Sequence, residues 1–289
     1  MIKQIIIFAI ALMLGFASAG ASNPIIEVKK TGQGQPMILI HGMACSAEVW
    51  NEVAGYYQDR YELHLVTIAG FGNSRILEAP HTLQAIRDAL IAYVKEENLH
   101  KPILMGHSMG GFLALWAASE QPELFGPIVS VDGLPYFPVL AMPGISAETA
   151  APMAEMMKKQ MQNANPETAR AQQEMMIATM MGDADKRSMV LEMGMRSNPA
   201  VIARAMGEMY TTDIRNQVHT IESPVLVLGS WYGYRQWGTT LESARNGFQA
   251  QFAPIANSRV EMAATALHFI FYDEPQWFFE MVDGFLEEK

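Results

Sequence analysis

The stretch PILMGHSMGGFLALWAA, residues 102–118, decides the fold of this chain. Residues 103–105 are predicted to form a short buried strand, and residues 110–118 a helix of small and apolar side chains. The turn between them reads G-x-S-x-G around Ser108, and its glycines give a sharply bent main chain the room that it needs. Such a turn projects the serine hydroxyl above a helix N-terminus, which favours negative charge. Ser108 is therefore a candidate nucleophile, and the alternative is a glycine-rich turn with an idle serine.

A second turn upstream supports this interpretation. An apolar strand at residues 37–40 runs into His41-Gly42-Met43. The strand, this turn and the serine turn together resemble the α/β-hydrolase superfamily, in its serine-nucleophile esterase branch. The resemblance implies an α/β fold with a mostly parallel, doubly wound sheet and an inserted all-helical lid. It also implies an oxyanion hole made by the backbone N–H groups of Met43 and Met109, while His41 is interpreted as a structural turn residue.

The candidate general base is His268. It is the one among the seven histidines that lies in a loop between a late strand-like segment, residues 259–262, and a final helix predicted to begin near residues 273–275, with Pro275 in its first turn. Its Ala-Leu-His-Phe setting is similar to the last loop of the family. A serine nucleophile needs such a base, and the alternative is a buried structural histidine. His107, inside the serine turn, is expected to point away from Ser108.

The acid that would orient this histidine departs from the commonest family pattern. Most members carry an Asp after the strand that follows the lid, but here the strand at residues 224–229 leads into residues 230–238, which contain no carboxylate. Some members place the acid one strand earlier, where Asp132 ends the apolar segment 127–131. We predict Asp132 as the acid and Glu242 as the second choice. The alternative for Asp132 is a turn residue that caps the following loop.

Composition limits the function classes. The chain has 289 residues, of which 50% are hydrophobic, enough for one large α/β domain with an inserted lid. The net charge of −10, without a basic cluster, argues against nucleic acids and anionic membrane surfaces as partners. The single cysteine, Cys45, excludes an internal disulfide. The sequence contains no cluster of His, Cys and carboxylate residues at metal-ligand spacing. Every glycine-rich turn is already assigned, so we expect no metal and no nucleotide cofactor.

The first 21 residues are predicted to be a signal peptide. Lys3 provides a positive charge, residues 5–16 are apolar, and small residues then allow cleavage near Ala19 or Ala21. The apolar run is shorter than the ~20 residues that a spanning helix requires. We therefore expect export to the periplasm or the medium, without stable membrane insertion afterwards. The alternative is an uncleaved N-terminal anchor.

The rest of the chain divides into a core and a lid. Strands and helices alternate over residues 22–133 and 219–289, whereas residues 134–218 predict helices only. Fourteen of the 22 methionines lie in residues 134–215, and their flexible side chains suit either a variable acyl group or the lid's own core. Four uncharged aromatic residues near the predicted site are candidates for binding an apolar substrate. They are Tyr136, Phe137, Trp231 and Tyr232.

These features together predict a serine hydrolase that cleaves a small or medium apolar carboxylic ester, or a related acyl compound, through an acyl-enzyme on Ser108. His268 would take the proton of Ser108, and Asp132 would orient the imidazole. The expected partner is a small apolar acyl molecule, while the natural substrate and the oligomeric state stay open. The alternative is an α/β-hydrolase-fold ligand-binding protein with little or no turnover.

Overall fold

The computed structural model describes residues 24–78, 81–140, 142 and 144–288, so the predicted signal peptide lies outside the described residues. Its centre is one sheet of seven strands in the order β1-β3-β2-β4-β5-β6-β7. The strands are β1 (Ile26–Gly32), β2 (Gln35–Ile40), β3 (Tyr61–Ile68), β4 (Ile103–His107), β5 (Ile128–Val131), β6 (Val225–Gly229) and β7 (Ser258–Met262). Only β1 runs antiparallel, at the edge beside β3, and this confirms the predicted mostly parallel sheet.

Ten α-helices accompany these strands in the described part of the chain. They are α1 (Asn51–Tyr57), α2 (Leu83–Glu96), α3 (Met109–Glu120), α4 (Ala147–Asn163), α5 (Pro166–Met180), α6 (Ala184–Met195), α7 (Pro199–Thr211), α8 (Leu241–Phe252), α9 (Ile270–Asp273) and α10 (Pro275–Glu287). None of the helices that the structure describes is long and apolar enough to cross a membrane. The four helices α4 to α7 lie between β5 and β6, and we call residues 147–211 the helical insert. Its action as a lid stays a prediction.

The central strands are predominantly apolar because helices cover both faces of the sheet. Alternate residues of β2 show the division: Ile38 and Ile40 pack on the side of α2, α3 and α8, and Met37 and Leu39 on the side of α1 and α10. All four side chains are fully buried. Because β2, β4, β5 and β6 run parallel, their carboxyl ends meet at the same edge of the sheet, where the connecting loops can form a site.

Capping residues explain where the helices of the insert begin. The side chain of Asn165 accepts a hydrogen bond from Thr168 N–H at the start of α5, and Asn198 caps α7 in the same way. A proline follows each asparagine at the first helical position, because that position needs no N–H donor. The last helix begins as predicted, also with a proline at its first position. It begins at Pro275, and the single turn α9 precedes it.

Candidate active site

Ser108 sits at the N-cap of α3 in a backbone conformation that few non-glycine residues adopt, with φ 54° and ψ −117°. Its N–H donates to the carbonyl of Val131 at 2.8 Å, which ties the turn to β5. A Cβ on Gly110 would lie 2.1 Å from the carbonyl oxygen of Ile40, and one on Gly106 only 2.2 Å from that of Gly110. Glycine is therefore required on both sides of the serine, as the motif predicts. Strain of this kind is concentrated at functional sites.

Asp132 also has a positive φ, of 50°, directly after β5. Its N–H donates to the carbonyl of Leu228, so the chain bends across the end of β6. Asp tolerates this left-handed conformation better than most residues. Oδ2 of Asp132 then lies 2.6 Å from Nδ1 of His268. The structure thus brings Asp132 to the histidine, whereas Glu242 is exposed on the first turn of α8.

Ser230 completes the surroundings of this carboxylate. Its N–H donates to Oδ1 of Asp132 and its hydroxyl to Oδ2, each at 2.8 Å. The side chains of Asp132 and His268 are 5% and 13% exposed, so their contact is largely shielded from water and correspondingly strong. Ser230 was not among the site residues predicted from the sequence. Its position directly after β6 could have identified it, because neighbouring parallel strands end at the same edge of the sheet.

His268 is also held through its main chain. Nε2 of His107 lies 3.1 Å from the carbonyl oxygen of His268, and the two rings are 4.6 Å apart. A carbonyl can only accept, so His107 carries its proton on Nε2. Burial lowers the pKa of His107 well below its ordinary value, which keeps the ring neutral. Since His107 immediately precedes Ser108, this contact places the loop of His268 over the serine turn.

The two predicted oxyanion donors both lie beside Ser108. Met109 is the first residue of α3, and an N–H at that position has no acceptor within its helix. A Cβ on Gly42 would lie 3.2 Å from Cβ of Ser108, so the turn that carries Met43 passes next to the serine. Neither N–H donates to another residue in the part of the chain that the structure describes. Both can therefore donate to an incoming oxygen, and their catalytic role stays a prediction.

His41 has structural partners on both ring nitrogens. Nδ1 lies 2.7 Å from the carbonyl oxygen of Gly42, and Nε2 accepts a hydrogen bond from Ile68 N–H at 3.0 Å. Nδ1 therefore carries the proton of a neutral ring. Burial lowers the pKa of His41 to about 4. These contacts agree with the interpretation of His41 as a structural turn residue.

Low pH is expected to destabilise the folded protein through protonation of His41. Between its ordinary pKa of 6.5 and about 4, the unfolded chain binds a proton at this ring and the folded protein does not. The free energy of unfolding therefore falls as the pH falls through this range, by up to about 3 kcal/mol from this group. Urea unfolding of the wild type and of His41→Gln at pH 7 and pH 4.5 measures this contribution to the free energy of unfolding. The stability advantage of the wild type should shrink at pH 4.5, and an unchanged advantage would contradict the assignment.

Tyr136 and Phe137 pack between the core and the end of the insert. Tyr136 is fully buried: its hydroxyl donates to the carbonyl of Tyr210, and its N–H donates to the side chain of Gln251. The guanidinium of Arg215 lies over its ring at 4.9 Å. The ring of Phe137, which is partly buried, meets that of Tyr210 edge-on. These partners are internal, and substrate binding by either residue stays a prediction.

Trp231 and Tyr232 begin the turn that follows Ser230. Their rings meet edge-on with centroids 5.6 Å apart, and Nε1 of Trp231 donates to the carbonyl of Ala264. Because Ser230, directly before this turn, bonds to Asp132, the turn lies next to the candidate acid, and burial raises the pKa of Tyr234 to about 12. A cleft separates it from α5. The cleft is lined by Ala178, Thr179, Gly233, Arg235, Gln236 and Leu267. Since Leu267 precedes His268, an acyl chain in this cleft would lie near the candidate base.

Known proteins resemble this chain over most of its length. The model of the alpha/beta hydrolase family matches residues 37–281. The chain is 30% identical over 206 residues to a pimeloyl-[acyl-carrier protein] methyl ester esterase of Citrobacter koseri, covering 70% of this chain and 77% of that protein. It is 34% identical over 113 residues to the esterase of the same name from Aeromonas salmonicida, covering 39% and 43%. The chain thus spans about half the length of the two Aeromonas relatives that it matches.

A solved structure shows the same fold at lower identity. The structure of a thermophilic esterase from Thermogutta terrifontis has a TM-score of 0.75 with this chain and 19% sequence identity. The match covers 91% of this chain and 93% of that one. At this identity the likeness concerns the fold alone.

Proposed function

The chain belongs to the alpha/beta hydrolase family, and from that premise we propose that it hydrolyses a small or medium apolar carboxylic ester, or a related acyl compound, through an acyl-enzyme on Ser108. One observation carries the proposal. Nδ1 of His268 lies 2.6 Å from Oδ2 of Asp132, on a loop held over the strained turn of Ser108. A nucleophile, a base and an acid in this arrangement favour acyl transfer. The esterase names of the relatives support ester hydrolysis.

The proton on the histidine determines the first step. Because Nδ1 donates its proton to Asp132, Nε2 is left with a free lone pair. Neither Nε2 nor Oγ of Ser108 has a hydrogen-bond partner among the described residues, so both are available for reaction. Nε2 removes the proton of Ser108 as Oγ attacks the carbonyl carbon of the ester. The charge that develops on the carbonyl oxygen is stabilised by the N–H groups of Met43 and Met109 and by the N-terminus of α3.

Three further proton transfers complete the cycle. His268 gives its new proton to the leaving alcohol, and the bond between the carbonyl carbon and the alcohol oxygen breaks to leave Ser108 acylated. Nε2 then takes a proton from water, whose oxygen attacks the acyl carbon. Collapse of this second intermediate releases the carboxylic acid and returns the proton to Oγ of Ser108. Asp132 stabilises the charged imidazole in both halves without becoming protonated itself.

The insert and the aromatic residues support the proposal that the acyl group of the substrate is apolar. Three methionines of the insert are exposed, Met156, Met175 and Met176. Thioether side chains adapt to ligands of different shape. The aromatic pair Trp231 and Tyr232 lies on the acid side of the site, next to the cleft beside α5. We propose that the acyl chain binds between the insert and this pair.

Hydrolysis of p-nitrophenyl esters from acetate to dodecanoate tests the proposal. Turnover is expected, with an optimum chain length that reports the size of the acyl site. A fluorophosphonate should label Ser108 with a stoichiometric burst of leaving group. A folded protein that binds apolar ligands, but neither turns over these esters nor labels, would be a ligand-binding member of the family and would contradict the proposal.

We also propose that the protein is exported. The support is the sequence of the first 21 residues, which combines a positive charge, an apolar run and small residues. The mass of the protein recovered from the producing cell tests this. Loss of about twenty N-terminal residues is expected, and a full-length chain in the membrane fraction would favour the uncleaved anchor.

A further inference from the structure

The loop that leads to His268 is held by side chains rather than by a neighbouring strand. Glu274 Oε1 accepts hydrogen bonds from the N–H groups of Thr265 and Ala266, at 2.6 and 2.7 Å. It also accepts one from the hydroxyl of Thr265 at 2.7 Å. Burial raises the pKa of Glu274, but these donors together outweigh it and hold the pKa below its ordinary value. The carboxylate is therefore ionised at neutral pH and fixes the loop just before the base.

Asp273, the preceding residue, connects this loop to the helical insert. Its Oδ2 accepts a hydrogen bond from Leu267 N–H at 2.9 Å, one residue before His268. Its Oδ1 accepts hydrogen bonds from the N–H groups of Gly182 and Asp183, at 2.8 and 3.0 Å. Those two residues form the turn between α5 and α6. One carboxylate thus joins the loop of the base to the insert, and both of its oxygens are occupied by main-chain donors.

The turn of the insert is shaped to receive this carboxylate. A Cβ on Gly182 would lie 3.2 Å from Oδ1 of Asp273 and 3.3 Å from its Cγ, closer than an ordinary contact. Glycine therefore allows the carboxylate to approach the main chain of the turn. A second contact runs parallel to the first, because Phe269 N–H donates to the carbonyl of Met180 at 3.3 Å. The residues on both sides of His268 are bonded to the insert or to Asp273.

We propose that Asp273 is a positioning residue, which sets the place of the His268 imidazole relative to Asp132 and couples it to the helical insert. The proposal rests on the proposed function for its catalytic meaning. A displacement of the insert would reach the base through the carboxylate, because its hydrogen bonds to N–H donors are charge-assisted and resist stretching. Misplacement of a reacting group by about 1 Å can cost on the order of 10²-fold in rate.

A methyl group added to the insert is the first test. Gly182→Ala should push the Asp273 carboxylate by a few tenths of an ångström, since no other contact of this Cβ is close. We expect kcat to fall about three- to tenfold with little change in KM, because the acyl site is left intact. Gly207→Ala, in α7, is the matched control, because a Cβ there meets nothing within 4 Å. It should retain the activity of the wild type.

Removal of the charge is the second test. Asp273→Asn replaces one acceptor oxygen by an NH₂ group that faces N–H donors, so the loop should shift and kcat should fall on the order of 10²-fold. Asp283→Asn, in α10, is the matched control, because that carboxylate binds Arg60 and Tyr56 away from the site. The kinetic pKa of the base should fall in Asp273→Asn but not in the control, since a looser bond to Asp132 stabilises the imidazolium less.

The NMR signal of the His268 Nδ1 proton separates this proposal from the proposed function. Its chemical shift and pH titration report the contact with Asp132 whether or not the protein turns over esters. A changed signal in Gly182→Ala, with an unchanged one in Gly207→Ala, would support positioning even for an inactive wild type. If Asp273→Asn does not fold, Gly182→Ala decides alone. Activity losses that follow stability alone, with an unchanged His268 signal, would overturn the proposal.

Discussion

Ser108→Ala is expected to abolish ester hydrolysis, with kcat reduced on the order of 10⁴- to 10⁶-fold. The methyl group of alanine cannot form the acyl-enzyme, and the remaining oxyanion donors and substrate binding give only a residual rate over water. The fold should persist because alanine keeps the Cβ of serine and removes no hydrogen bond of Oγ within the described residues. Steady-state kinetics with the best p-nitrophenyl ester, together with thermal unfolding, measure both effects.

A second serine provides the control for this variant. Ser119 lies near the end of α3, the helix that Ser108 caps, but it is buried and its hydroxyl donates to the carbonyl of Trp116 within the helix. Ser119→Ala should keep kcat close to the wild-type value. Turnover that survives in Ser108→Ala at the wild-type rate would show that another group is the nucleophile and would remove the basis of the acyl-enzyme mechanism.

Asp132→Asn is expected to lower kcat about 10³- to 10⁴-fold while Ser108 stays in place. The amide of asparagine can donate to Nδ1 of His268, and this would move the ring proton to Nε2. Nε2 could then no longer accept the proton of Ser108. The amide oxygen can still accept from Ser230 N–H, so the local geometry should be retained. The loss should therefore appear in kcat and in slower fluorophosphonate labelling rather than in stability.

Two comparisons test the identity of the acid. Glu242→Gln, at the exposed start of α8, should leave kcat unchanged. The double variant Ser108→Ala/Asp132→Asn should be no less active than Ser108→Ala alone, because the acid acts only through the serine mechanism. Near-normal activity of Asp132→Asn would show that Asp132 is not the acid, whatever its contact with His268.

The sequence was sufficient where a local pattern determines the geometry. The glycines around Ser108 could be interpreted because no other residue fits the close approach of two main chains. Asp132 was predicted as the partner of His268 from the resemblance to family members that place the acid one strand earlier, and chain order and the parallel neighbouring strand supported the choice. Both inferences depend on short segments and on topology rather than on side-chain packing.

Long-range contacts of side chains with the main chain carry no such pattern. The bonds of Asp273 to Gly182 and Asp183 join residues about ninety positions apart, and neither partner has a periodic or motif signature. Tyr136 is a similar case, because its contacts with Tyr210 and Gln251 depend on how the insert and α8 meet the core, which no sequence pattern predicts. Such roles become visible only when the tertiary structure is known.

The close packing of Gly106 and Gly110 around Ser108 distinguishes positions that tolerate no side chain from positions that can be exchanged. A side chain at Gly106 or Gly110 would collide with main-chain atoms. Unlike a side chain, the main chain cannot relieve such a collision by changing rotamer. The helices of the insert present exposed positions such as Met156 and Met175, where exchange costs little stability. If the acyl chain binds against the insert as we propose, a new substrate range would arise by mutation of the insert while the serine turn stays unchanged. Libraries for directed evolution of this protein should randomise the insert and leave the serine turn untouched.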